Sequence, residues 1–136
     1  MSLTRKRPML WVVLAIPVIA LGCSGNKVVD PEVQLRNSEL SEIYDSYMMY
    51  VKTNQKPPRQ LSDLKASQAI NGMGLQAVKD GRYVVVWGTD VSGKDPSKVV
   101  AYEKDAPKQG GAVLMADGTV KNMSADELQA ALKTKG

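Results

Sequence analysis

The chain holds no histidine, no phenylalanine and one cysteine among its 136 residues. Each absence excludes chemistry. Without His, the commonest general base near neutral pH and the commonest metal ligand are missing. A lone Cys forms no intramolecular disulfide and no Cys-x-x-Cys metal or redox site. Ser-His-Asp and Cys-His nucleophile systems and ordinary zinc sites are removed with them. Surplus charge is scarce as well. The formal net charge is +4, but Arg5, Lys6 and Arg7 crowd the extreme N-terminus; 18 basic residues less these three is 15, against 14 acidic ones. A balance of about +1 is no footprint for nucleic acid, which requires a clustered basic face. What is present is apolar: hydrophobic residues make up 43%, enough for a packed core and too much for wholesale disorder. The length suggests one domain plus a targeting segment.

The only long apolar run is Met9 to Gly22, 14 residues with Pro17 inside it, preceded by the basic stretch Thr4 to Arg7 and followed by Cys23. It falls short of the roughly 20 residues that cross a bilayer as a helix and matches a signal-peptide core. Ala20-Leu21-Gly22-Cys23 resembles the lipobox of bacterial lipoproteins. That resemblance implies cleavage before Cys23, a diacylglycerol on its sulfur and acylation of the new amino group. Residues 1–22 are then the signal, 23–30 a lipidated polar tether, and 31–133 a single domain. Ser24, where Asp favours inner-membrane retention, points to the outer membrane, with the protein held in the cell envelope on the periplasmic face.

Asp30-Pro31-Glu32 is a strong helix start: a capping Asp, Pro at the first helical position and an acid in the first turn. Leu40, Ile43, Tyr44, Tyr47, Met48 and Val51 then fall on one face, with Glu39, Ser41, Glu42, Asp45, Ser46 and Lys52 on the wet side. The pattern predicts a helix over 31–54, ended before Pro57-Pro58. A short helical segment is expected from Leu61 to about Ile70, broken by Asn71-Gly72-Met73-Gly74; Leu75 to Lys79 is ambiguous. Arg82 to Trp87 reads as a central strand and Val99 to Tyr102 as a second, with loops over 88–98 and 103–109. Two further runs, Ala112 to Ala116 and Thr119 to Met123, flank Asp117-Gly118, which predicts a type I′ hairpin. Ser124 with Glu127 is a capping box opening a last helix. The expected class is α+β: a long amphipathic helix covering an antiparallel sheet of about four strands, with a short C-terminal helix.

Two segments, "LSEIYDSYMMYVKTNQKPPRQLSDL" and "VVAYEKDAPKQGGAVLMADGTVKNMSADEL", resemble the heads of pilin-like and pseudopilin-like proteins, including a large group of pilin-like planctomycete proteins. The likeness covers roughly residues 33 to 132 and implies a pilin-head fold. The prepilin handle is missing: Gly22 is followed by Cys-Ser-Gly-Asn, not by an aromatic residue opening a continuous helix. Lipid stands in for the membrane-spanning half-helix.

Candidate sites are few. Pro57 and Pro58 read as a stiff turn, Tyr44 and Tyr47 as core, Tyr50 as flanking it, Trp87 as packing on the long helix, and Asp117-Gly118 as a turn. Asp90, Asp95 and Asp105 are candidate calcium ligands, though no D-x-[DN]-x-[DN]-G loop is present. Gly110-Gly111 fits no phosphate loop. No nucleophile–base pair and no cofactor motif is visible. The expected role is therefore non-enzymatic, a lipid-anchored envelope protein presenting its head to other envelope proteins. The alternative is a periplasmic ligand- or calcium-binding module using loops 88–98 and 103–109.

Overall fold

Asp30 caps the first helix with its carboxylate, accepting from the Glu32 backbone N–H at 3.0 Å, and Pro31 supplies the preset φ of the first turn. Helix α1 spans Pro31–Asn54, as its periodicity predicts. Gln55 ends it in the left-handed conformation (φ 56°), donating its N–H to Val51 O at 2.8 Å. The computed structural model describes residues 29–67 and 72–134; Cys23 and the expected signal lie outside that range, as does the end of the segment predicted to reach Ile70.

A 3₁₀ segment, Leu61–Ser67, follows the proline turn. Helix α2, Met73–Lys79, then opens where a break was expected. Gly74 permits this. A Cβ there would stand 2.5 Å from Glu39 O and 2.9 Å from Glu42 Cβ, so α2 begins in close contact with α1. Strands β1 (Tyr83–Val85), β2 (Val99–Glu103), β3 (Gly111–Met115) and β4 (Val120–Met123) form an antiparallel sheet in the order β1-β2-β3-β4. The α+β class is as expected, with two corrections. β1 is shorter than its apolar run and lies at the sheet edge, where Val84 is 37% exposed. The inner strands are β2 and β3; Ala112 to Ala116, on and just after β3, are all buried because both faces of the sheet are covered there.

Helix α1 covers one face. Leu40, Ile43 and Tyr47 pack with Val85, Val100, Ala112 and Leu114, and Tyr44, Met48, Val51 and Trp87 close the margin. The other face carries Val99, Val113 and Met115, packed against Ala106 of helix α3 (Ala106–Gln109) and Leu128 of helix α4 (Ala125–Lys133). Residues 106–109, expected as loop, form α3. The register of β2 steps by one against β3 between Val99 and Ala101. The extra residue lets Val100 and Ala101 both join the α1-side cluster while Val99 joins the other. The capping box of α4 is formed: Glu127 N–H donates to Ser124 Oγ, and Ser124 N–H donates to Glu127 Oε2 at 2.8 Å.

The hairpin at Asp117-Gly118 differs from a type I′ turn. Asp117 does not take positive φ; Gly118 does, at 85°. Gly118 N–H donates to Met115 O (3.0 Å) and Met115 N–H to Thr119 O (2.9 Å). The loop is thus three residues, 116–118, with the left-handed residue last. The Asp117 carboxylate turns inward to accept from the Thr119 N–H and hydroxyl, which holds its pKa below the usual aspartate value.

Candidate functional site

Two cavities lie at opposite ends of the sheet: β2 runs from Val99 at one to Glu103 at the other, about 13 Å. At the end where α1 starts lies a groove of about 660 Å³. Its wall is α1 (Glu32, Leu35, Arg36, Glu39); its other sides are Gly81 to Tyr83, Glu103 to Ala106, and Gln109 to Gly111. The anchoring group is Glu39, only 3% exposed. One guanidinium nitrogen of Arg82 bridges both its carboxylate oxygens, at 2.7 and 2.9 Å, and the Tyr83 hydroxyl donates to Oε2 at 2.8 Å. A buried carboxylate is costly without such partners. Burial, reinforced by the hydrogen bond to Glu39, raises the Tyr83 pKa well above the ordinary tyrosine value.

Beside this pair, Arg36 reaches Glu103 Oε1 at 3.4 Å, while its Nε is buried without a protein partner. Glu103 Oε2 accepts the Ala112 backbone N–H at 2.7 Å. That approach explains Gly111, whose Cβ would stand 2.5 Å from the same oxygen. Gly110, at φ 80°, passes so near Met123 O that a Cβ would come within 2.8 Å. The glycine pair thus serves close packing, Gly111 on Glu103 and Gly110 on the backbone between β4 and α4.

At the far end a smaller cleft, about 310 Å³, lies between loop 86–99 and α4, lined by Val86, Thr89, Asp90, Asp95, Ser97, Val99, Ala131 and Leu132 among others. Asp90 accepts the Ser92 N–H at 2.8 Å, and Asp95 accepts the Ser97 N–H at 3.1 Å together with the Ser97 hydroxyl. These bonds hold both carboxyls below the usual aspartate range. Of the three calcium candidates, Asp90 and Asp95 share this cleft, but Asp105 lines the groove at the other end. Among the described residues no three His, Cys, Asp or Glu side chains gather as a metal site.

The remaining sequence-selected residues serve the scaffold. Pro57 is half-buried and Pro58 fully buried, and Pro58 O accepts the Gly88 N–H at 2.9 Å, tying the proline turn to the end of the β1 segment. Trp87 packs against the α1-side core. Tyr44 O–H donates to Ala116 O at 3.3 Å and Tyr47 O–H to Thr89 O at 2.9 Å. Glu39 and Ser46, expected on the wet side, are both buried; α2 and the Arg82-Tyr83 segment close over α1 at Glu39.

No protein-family model, curated protein or solved structure matches the chain. Among the described residues no helix is long and apolar enough to cross a membrane.

Proposed function

We propose that the protein is a non-enzymatic, lipid-anchored envelope protein that presents a pilin-like head for structural or assembly interactions on the periplasmic side, at the outer membrane. The observation that carries this reading is a spacing. Cys23 closes the apolar run, and only seven residues later Asp30 caps α1. A long helix laid over an antiparallel sheet supports the pilin-like part of the reading, and the lack of His in the sequence supports the non-enzymatic part.

The mechanism is tethering. Two or more acyl chains hold stably where one does not, and confinement to a surface raises the effective concentration of the head for its neighbours without any new contact. Metabolic labelling with a fatty-acid analogue tests it. Label and membrane fraction are both expected to be lost in Cys23→Ser; a variant that stays membrane-bound at full length overturns the lipid anchor. Crosslinking in intact cells should then recover an envelope protein on the head.

A second reading, a ligand- or calcium-binding module, is favoured by one observation: Asp90 and Asp95 line the same cleft. It requires calcium-dependent thermal stabilisation that disappears in Asp90→Ala or Asp95→Ala.

A further inference from the structure

The groove end of the head combines two features. The first is balanced charge. With the Glu39–Arg82 pair set aside, the groove is lined by Arg36 and Lys104 and by Glu32, Glu103 and Asp105. With two cations and three carboxylates the groove has little net field to draw a polyanion or a simple cation, and it offers a ligand carrying one charge of each sign a partner for both. Arg36 is loosely held, since its contact with Glu103 is long at 3.4 Å and its side chain is a quarter exposed. A volume of about 660 Å³ lies in the range of small-molecule sites.

The second feature is an apolar rim. Leu35, at the groove, is 47% exposed and Val29, just before α1, is 49% exposed. Val29 is six residues from Cys23, a reach of about 20 Å at most. A lipid on Cys23 therefore keeps the start of α1, and the groove beside it, within about 20 Å of the bilayer.

We propose that this end of the head rests on the membrane surface and that the groove takes the headgroup of a phosphatidylethanolamine-type lipid. The phosphate lies against Arg36 and Lys104, and the primary ammonium against Glu103 and Asp105. Leu35 and Val29 enter the interface, where exposed apolar side chains are stabilised. The cleft beside loop 86–99 and the hairpin tip at 116–118 then face away from the bilayer. The inference rests on the lipid-anchor reading.

The test uses the full chain matured in cells, extracted from membranes and reconstituted into vesicles doped with quencher-bearing lipid. A fluorophore is placed through Leu35→Cys in one sample and Ser92→Cys in another. In vesicles of phosphatidylethanolamine and phosphatidylglycerol, quenching is expected to be several-fold stronger at 35 than at 92. It should fall when phosphatidylcholine, whose quaternary ammonium donates no hydrogen bond, replaces the ethanolamine lipid. It should also fall with Arg36→Gln and with Lys104→Gln, the latter altering only an exposed side chain. Equal quenching at both positions on bound vesicles overturns the orientation alone; equal quenching in both lipid mixtures overturns the headgroup assignment. Protein that leaves the vesicles with Cys23 unmodified by mass overturns the anchor and this inference together.

Discussion

The ring of Tyr44 lies against Gly118, where a Cβ would stand 2.9 Å from Cε1 and 3.1 Å from Cζ. This contact joins the middle of α1 to the tip of the β3–β4 hairpin, 74 residues further on in the sequence. Gly118 is required twice, by its φ of 85° and by the ring above it. Gly118→Ala is expected to cost roughly 3 kcal/mol, about half from left-handed backbone strain and the rest from the displaced ring. Gly81→Ala provides the control: its φ is 75° but nothing lies within 4 Å, so only the backbone part, about 1–2 kcal/mol, should appear. Urea midpoints of the two variants measure the difference.

Removing Arg82 leaves Glu39 buried without its cation. Arg82→Gln should destabilise by roughly 1–3 kcal/mol, less than for a fully enclosed pair because the Arg82 side chain is 49% exposed. Glu39→Gln added to it should recover part of that loss. A double-mutant cycle in chemical denaturation reads the coupling; strict additivity would refute the pairing.

Ser46 is fully buried and its hydroxyl has no partner. An unsatisfied buried hydroxyl is a cost of about 1–3 kcal/mol. Ser46→Ala should therefore leave stability unchanged or raise it by about 1 kcal/mol, whereas Ser46→Leu should lower it, since the position is fully enclosed and has no exposed side to take a larger side chain. Thermal unfolding of both variants decides.

Burial pushes the Tyr47 hydroxyl up from 10.0 to about 12, with the neighbouring backbone of Thr89 and Gly88 only partly opposing it. Tyr83 moves the same way. The folded state thus keeps protons that the unfolded chain has released. The tyrosine contribution is complete below pH 10 and is lost as pH rises through the folded pKa. Tyr47 alone should account for roughly 2–3 kcal/mol across that window. Denaturation midpoints followed above pH 10 should fall, and Tyr47→Phe should flatten the slope.

Local signals were readable where one residue sets one conformation. Asp30 and Pro31 place the start of α1, and Ser124 with Glu127 places the start of α4. The apolar face from Leu40 to Val51 is also written in helical spacing. What escaped depends on neighbours distant in sequence. Glu39 sits among residues that look wet, and its burial follows from Arg82 and Tyr83, more than forty positions later. Gly74 reads as a breaker and instead lets α2 approach α1. The run Arg82 to Trp87 has a central strand's composition, yet only three residues pair, because its apolar side chains are divided between the sheet and the loop that turns towards Pro58. Of the candidate site, the carboxylates of loop 88–98 were legible as a local cluster. The groove was not, since it assembles α1, β2 and the turn into β3.

With α1 laid over one side of the sheet and α4 under the other, the inner strands β2 and β3 show, among the described residues, no open pleated surface for a second protein to lie upon. For the envelope partner proposed above, this leaves the perimeter: the two edge strands, the loop ends and the outward flank of the long helix. A binding partner is thus expected to grip through a narrow, rim-like footprint, with its specificity concentrated in a few side chains.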